Sequence, residues 1–176
     1  MIMRRGETLL LPPSVPFIWF TLIALFMLSM GMNILTAQAN TWFPDLILIA
    51  LVFWGTHQPR HVGISAAFVF GLLNDVQQSS LLGQHAFTYS LAMYFAIHLH
   101  RRLAYFTAQQ QAIQLIPLFV GLNALQWLIR WLSDSVTPAW SMFLAPVLEV
   151  MLWPVMDWLL LAPQRRPPDQ DDHRPL

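Results

Sequence analysis

Long apolar stretches broken by short polar ones run the length of the chain and mark out six candidate helices. The first, FIWFTLIALFMLSMGMNIL at 17–35, is long enough to cross about 30 Å of hydrocarbon at about 1.5 Å per residue. Ala37-Gln38-Ala39 behind it resembles a signal-peptidase site. The apolar stretch is longer than the roughly 7–15 residues of a cleaved signal, which favours an uncleaved anchor. The second run, PDLILIALVFWG at 44–55, is short. Pro44 suits a first helical turn and Asp45 complements the positive end of the helix dipole. With 41–43 it just spans; re-entry from one side is the rival reading. The third run starts at His61 and passes Leu73, and a helix continued to Leu82 takes in the polar stretch 74–80. The fourth is 86–99, stopped by His100-Arg101-Arg102; the fifth is about 112–132 and the sixth about 139–161. Residues 1–162 therefore read as a single polytopic membrane domain. Residues 163–176, rich in Pro and charge, read as a disordered cytoplasmic tail.

Composition agrees with that pattern. Of 176 residues 56% are hydrophobic and 10% charged, against about 25% charged in a soluble domain. The expected class is an all-α integral membrane protein, a bundle of six transmembrane helices. Nine basic residues, all Arg, balance nine acidic ones, so no charge excess points to nucleic acid. The absence of Cys removes disulfides, thiolate metal sites and cysteine nucleophiles together. Arginines gather in cytoplasmic segments of membrane proteins. With the N-terminus inside, those segments hold Arg4, Arg5, Arg60, Arg101, Arg102, Arg165, Arg166 and Arg174, and only Arg130 lies near an outer end. Six spans with both termini cytoplasmic is the arrangement this distribution favours. Trp19, Trp42, Trp54, Trp140 and Trp158 fall near predicted span ends, as interface anchors do.

Polar groups inside the spans carry the candidate chemistry, because hydrocarbon tolerates them only against a partner, a cavity or one another. Gly71, Asn74, Asp75 and Gln78 share one helix face by their i, i+3, i+4, i+7 spacing. Gly63, Ala67 and Gly71 precede them at four-residue steps, a small-residue ridge that lets another helix approach closely. These six residues form the expected partner-binding face. In the fifth span Asn123, Gln126 and Arg130 fall at i, i+3, i+7, and in the sixth Pro146, Glu149, Trp153 and Asp157 share a side. Asn123, Gln126, Arg130, Glu149 and Asp157 are the expected intramembrane polar or cavity-lining set. Glu149, placed near mid-span, must be paired, protonated or wet. Arg130 has Asp134 four residues on, and Asp157 can snorkel toward Arg165 or Arg166. Zinc-protease, nucleophile-elbow and phosphate-loop motifs are all missing. Pro59 separates His57 from His61, and His98 and His100 sit beside arginines at an interface. A non-enzymatic protein without metal or cofactor is expected.

Pro44-Asp45 opening an apolar run that ends in Phe53-Trp54, then Gly71 to Asp75 as Gly-x-x-x-Asp followed by Leu81-Leu82-Gly83, resembles the bacterial rod shape-determining MreD family. The resemblance covers nearly the whole chain and is sharpest over 70–87. It implies an inner-membrane component of the cell-elongation machinery that binds MreC and helps organise peptidoglycan synthesis and rod shape. The wider complex it implies includes RodA, a class B penicillin-binding transpeptidase and MreB, all at a lipid membrane. It also implies an architecture similar to the substrate-binding subunits of energy-coupling-factor transporters. A small-molecule-binding subunit of a membrane transporter is the alternative reading, with Glu149 and Asp75 as ligand contacts.

Overall fold

The computed structural model describes residues 14–35, 44–134 and 143–164. Six helices follow one another: α1 (Val15–Leu35), α2 (Leu46–His57), α3 (Ile64–Gln77), α4 (Gln84–Leu103), α5 (Ala108–Asp134) and α6 (Leu144–Leu161), closed by a 3-10 turn at Ala162–Gln164. The bundle is all-helical, with no strand among the described residues. By length and composition α1, α5 and α6 can each cross a membrane, whereas α2 and α3 are shorter apolar helices. The tail expected from 163 lies, from 165 onward, outside the described residues.

Helix α2 occupies the middle. Every residue from Ile47 to Thr56 is buried, and α1, α4 and α6 pack around it. A helix that is apolar on all sides can turn every face to another helix without stranding a polar group, and α2 is enclosed in this way. Its start is set by Asp45, whose Oδ1 accepts from the Leu48 N–H at 3.1 Å and caps the first turn. Gly55 lets α4 come close: a Cβ there would lie 2.5 Å from the Met93 sulfur. Trp54, expected as an interface anchor, is instead fully buried. Its Nε1–H donates to Thr21 Oγ1 at 3.0 Å, and a buried indole with an acceptor on α1 gains nothing from the interface. Trp158 is 62% exposed, while Trp42 and Trp140 lie outside the described residues.

The third run does not continue to Leu82. Helix α3 stops at Gln77, Ser79 takes a left-handed conformation at φ 50°, and Gly83 follows at φ 103°. The cause is Asp75. Its two oxygens accept from the backbone N–H groups of Gly83 (2.8 Å), His85 (2.8 Å) and Ala86 (3.3 Å). Those are the donors that the first turn of α4 leaves without helical partners, and a carboxylate satisfies them while complementing the dipole. The chain reverses over 78–83, and α3 and α4 form an antiparallel pair. Gly71 sits where they touch: a Cβ would meet Ala86 Cα at 2.3 Å and the His85 carbonyl oxygen at 2.7 Å. The small-residue ridge thus seats α4 of the same chain, with Ala67 buried beside Gly71. Gly63, the N-cap of α3, has open space around it.

Candidate functional site

Polar residues converge at one end of the bundle. This is the end where α1, α3 and α5 finish and α2, α4 and α6 begin, and a cavity of about 300 Å³ lies there. Ser29 and Asn33 line it from α1, and Gln78 and His85 from the α3–α4 reversal. Helix α5 contributes Asn123, Gln126, Trp127 and Arg130; Asp45 and Glu149 complete the polar wall from α2 and α6. Val120, Phe143 and Pro146 supply apolar lining.

Glu149 is 1% exposed and accepts from Asn123 Nδ2 at 2.8 Å and from the Asp45 N–H at 3.4 Å. Since α6 begins at Leu144, Glu149 lies in its second turn, nearer the helix start than the expected mid-span depth. Asp45 also accepts from the Tyr89 hydroxyl, and that hydroxyl in turn accepts from Asn74 Nδ2 at 2.7 Å. One hydrogen-bonded line therefore runs Asn123–Glu149–Asp45–Tyr89–Asn74 and ties together α5, α6, the α2 cap, α4 and α3. Beside it, Asp75 accepts from His85 Nδ1 at 2.8 Å and from Ser80 Oγ at 3.0 Å, and the His85 ring meets Tyr89 edge-on at 5.9 Å. Burying so many polar groups is costly unless each finds a partner. Most here do, although Asn74 Oδ1 and the Trp127 Nε1–H are buried without one.

A family model described as "rod shape-determining protein MreD" matches residues 14–162. The chain belongs to the MreD family. It is 23% identical over 145 residues to the rod shape-determining protein MreD of Haemophilus influenzae (strain ATCC 51907 / DSM 11121 / KW20 / Rd). That match covers 81% of this chain and 88% of the relative. No solved structure matches. Membership makes this a rod shape-determining membrane protein, consistent with its apolar helices.

Within this MreD-family bundle the residues singled out from sequence fall into three groups. Gln78, Asn123, Gln126, Arg130 and Glu149 all line the cavity. Gly71, Asn74 and Asp75 lie directly behind it, buried against α4, while Ala67 and Gly63 stand further along α3. Asp157 is elsewhere: its Oδ1 lies 3.8 Å from His57 Nε2, at the opposite end of α2. The arginines expected to draw it, Arg165 and Arg166, lie outside the described residues, as does the Asp134 side chain suggested for Arg130. Sequence reading passed over Tyr89, His85, Trp127, Ser29 and Asn33, and took Asp45 as a dipole partner and motif residue but not as part of a cavity. A signal existed in two cases: Ser29 and Asn33 are four apart on α1, and His85 and Tyr89 four apart on α4. The Asp45–Tyr89–Asn74 relay joins residues 44 and 15 positions apart and has no local trace.

Proposed function

We propose that this protein is a non-enzymatic inner-membrane component of the cell-elongation machinery. In this reading it binds MreC directly and works in a wider complex with RodA, a class B penicillin-binding transpeptidase and MreB. The observation that carries the reading is the gathering of polar side chains at one end of a helical bundle that belongs to a rod-shape family. Among the described residues, connections of a few residues, 58–63, 78–83 and 104–107, leave the helices themselves and their ends as the contact surface. The partner-binding role proposed for Gly63, Ala67, Gly71, Asn74, Asp75 and Gln78 then divides by depth. Ala67, Gly71, Asn74 and Asp75 hold the α3–α4 pair in shape. Gln78 at the rim, with the outward-facing Leu73 and Val76, meets the partner. The arginine distribution supports a cavity that opens to the outer side, with both termini cytoplasmic.

The test is cell shape. A rod-shaped bacterium depleted of its own MreD and supplied with this chain at verified membrane levels should regain rods. Gln78→Ala combined with Leu73→Ala should lower MreC recovery by pull-down at equal abundance. A single polar helix contact is worth only about 0.6 kcal/mol, so the pair of substitutions is needed. Persistent round cells, with the chain folded and its cognate MreC present, would remove the elongation reading and favour a transporter-type binding subunit. Unchanged MreC recovery would remove the α3 contact alone.

A further inference from the structure

Two carboxylates, Asp45 and Glu149, face one cavity inside a membrane bundle, and the groups hydrogen-bonded to them there are neutral: backbone N–H groups, the Tyr89 hydroxyl and the Asn123 amide. Glu149 is buried and Asp45 half-buried, and an ionised carboxylate with only neutral partners there is costly; a proton or a cation from outside the chain offsets it. Each carboxylate oxygen can accept two hydrogen bonds, so acceptor capacity remains on both side chains. The same cavity also offers the reverse deficit. Trp127 lines it, and the Trp127 Nε1–H is buried with no acceptor. Trp127 is four residues beyond Asn123 on α5, about 6 Å along the axis, and Arg130 lies a further turn toward the rim. Going outward, the wall therefore changes from carboxylate acceptors to an indole N–H and a guanidinium.

We infer that the cavity binds a primary ammonium group carried a few bonds from an oxyanion, as in an aminoethyl phosphate. The ammonium donates to Glu149 and Asp45, and the oxyanion accepts from Trp127. A primary ammonium is specified over a quaternary one because the deep wall consists of hydrogen-bond acceptors, which a trimethylated nitrogen cannot use. The volume of about 300 Å³ is at the small end of ligand cavities and holds a headgroup rather than acyl chains. The same chemistry occurs as the headgroup of an ethanolamine phospholipid and as a free zwitterion in solution. The inference concerns the interior of the cavity and does not depend on which protein docks at its rim.

The full chain purified in detergent decides it through thermal melting with four probes: short-chain phosphatidylethanolamine, phosphatidylcholine and phosphatidylglycerol, and free phosphorylethanolamine. Ligand that binds only the folded protein raises the melting midpoint. The ethanolamine lipid should act at concentrations about tenfold lower than the choline and glycerol lipids, the scale of one lost charge-assisted hydrogen bond. Glu149→Gln should weaken its effect by about tenfold or more. Trp127→Phe keeps an aromatic side chain but removes the N–H donor, and should lower affinity several-fold, read as the ligand-induced shift from the variant's own unliganded midpoint. Stabilisation by free phosphorylethanolamine as well would assign a soluble zwitterion; stabilisation by the lipid alone would assign a headgroup. Equal stabilisation by all three lipids, or none by any of the four probes, overturns the inference. So does undiminished ethanolamine-lipid affinity in Trp127→Phe, which decides the matter if Glu149→Gln does not fold.

Discussion

Asp75 and Gln78 sit three positions apart on one face yet answer to different physics. Asp75 is 1% exposed and collects three backbone N–H groups, a hydroxyl and an imidazole. Asp75→Ala strands those donors in a buried site and should cost about 3 kcal/mol of stability, seen as a lowered melting midpoint of the purified protein. Gln78→Ala, at the cavity rim, should change stability by about 0.5 kcal/mol or less. A partner-binding defect is therefore legible only in the second variant. Gly71 makes the complementary case in apolar terms. Gly71→Ala places a methyl within 2.3–2.7 Å of α4 backbone, where nothing flexible can yield, and should cost about 1–3 kcal/mol. Gly121→Ala has open space, and loses no packing by the same assay. Both glycines were visible in the sequence, and so was the shared face of Asp75 and Gln78. Which glycine bears a contact was not, because that depends on a helix 15 residues away in the chain.

At the scale of elements, α1 and α2 are similarly apolar in sequence and opposite in setting. Phe20, Ile23 and Leu28 of α1 are exposed to the surroundings of the bundle, whereas α2 has no outward face. Alanine at Leu48, Ile49 or Leu51 should each cost about 2 kcal/mol or more through unfilled volume. Alanine at Phe20 or Ile23 should cost far less, because lipid fills the space as well as the side chain did. A melting-point scan across both helices would separate a core helix from a peripheral one. The re-entrant alternative for 44–55 arose because length alone cannot distinguish a short span from a central buried helix. The extension of α3 to Leu82 failed for a related reason. The apolar periodicity ended before it, and the reversal is set by a carboxylate capping the next helix rather than by a local breaker.

For the whole molecule, the polar line from Asn123 to Asn74 makes five helices energetically interdependent. Tyr89→Phe and Asp45→Ala each remove the same bond in its middle. Their combined effect should fall short of the sum of the single effects by about 1 kcal/mol or more, measured as a double-mutant cycle on melting. Strict additivity would show the line to be a row of independent pairs. Topology offers a second check, made clean by the cysteine-free background. Leu82→Cys, in the α3–α4 reversal, should react with a membrane-impermeant maleimide on intact spheroplasts. Tyr105→Cys, beyond α4, should react only after lysis; the reversed pattern would overturn the proposed orientation.

The sequence by itself determined class, helix number and the polar residues that require an explanation, since hydropathy and i, i+3, i+4 spacing are properties of short windows. It also carried the family motifs, which lie in contiguous stretches. The tertiary structure decided which polar residues meet. Glu149 finds Asn123 and Asp45, Asp75 turns inward to cap α4, and Asp157 goes to the other end beside His57. Those outcomes depend on how helices are ordered around α2, and that order follows from close packing over the whole bundle. No local pattern encodes it.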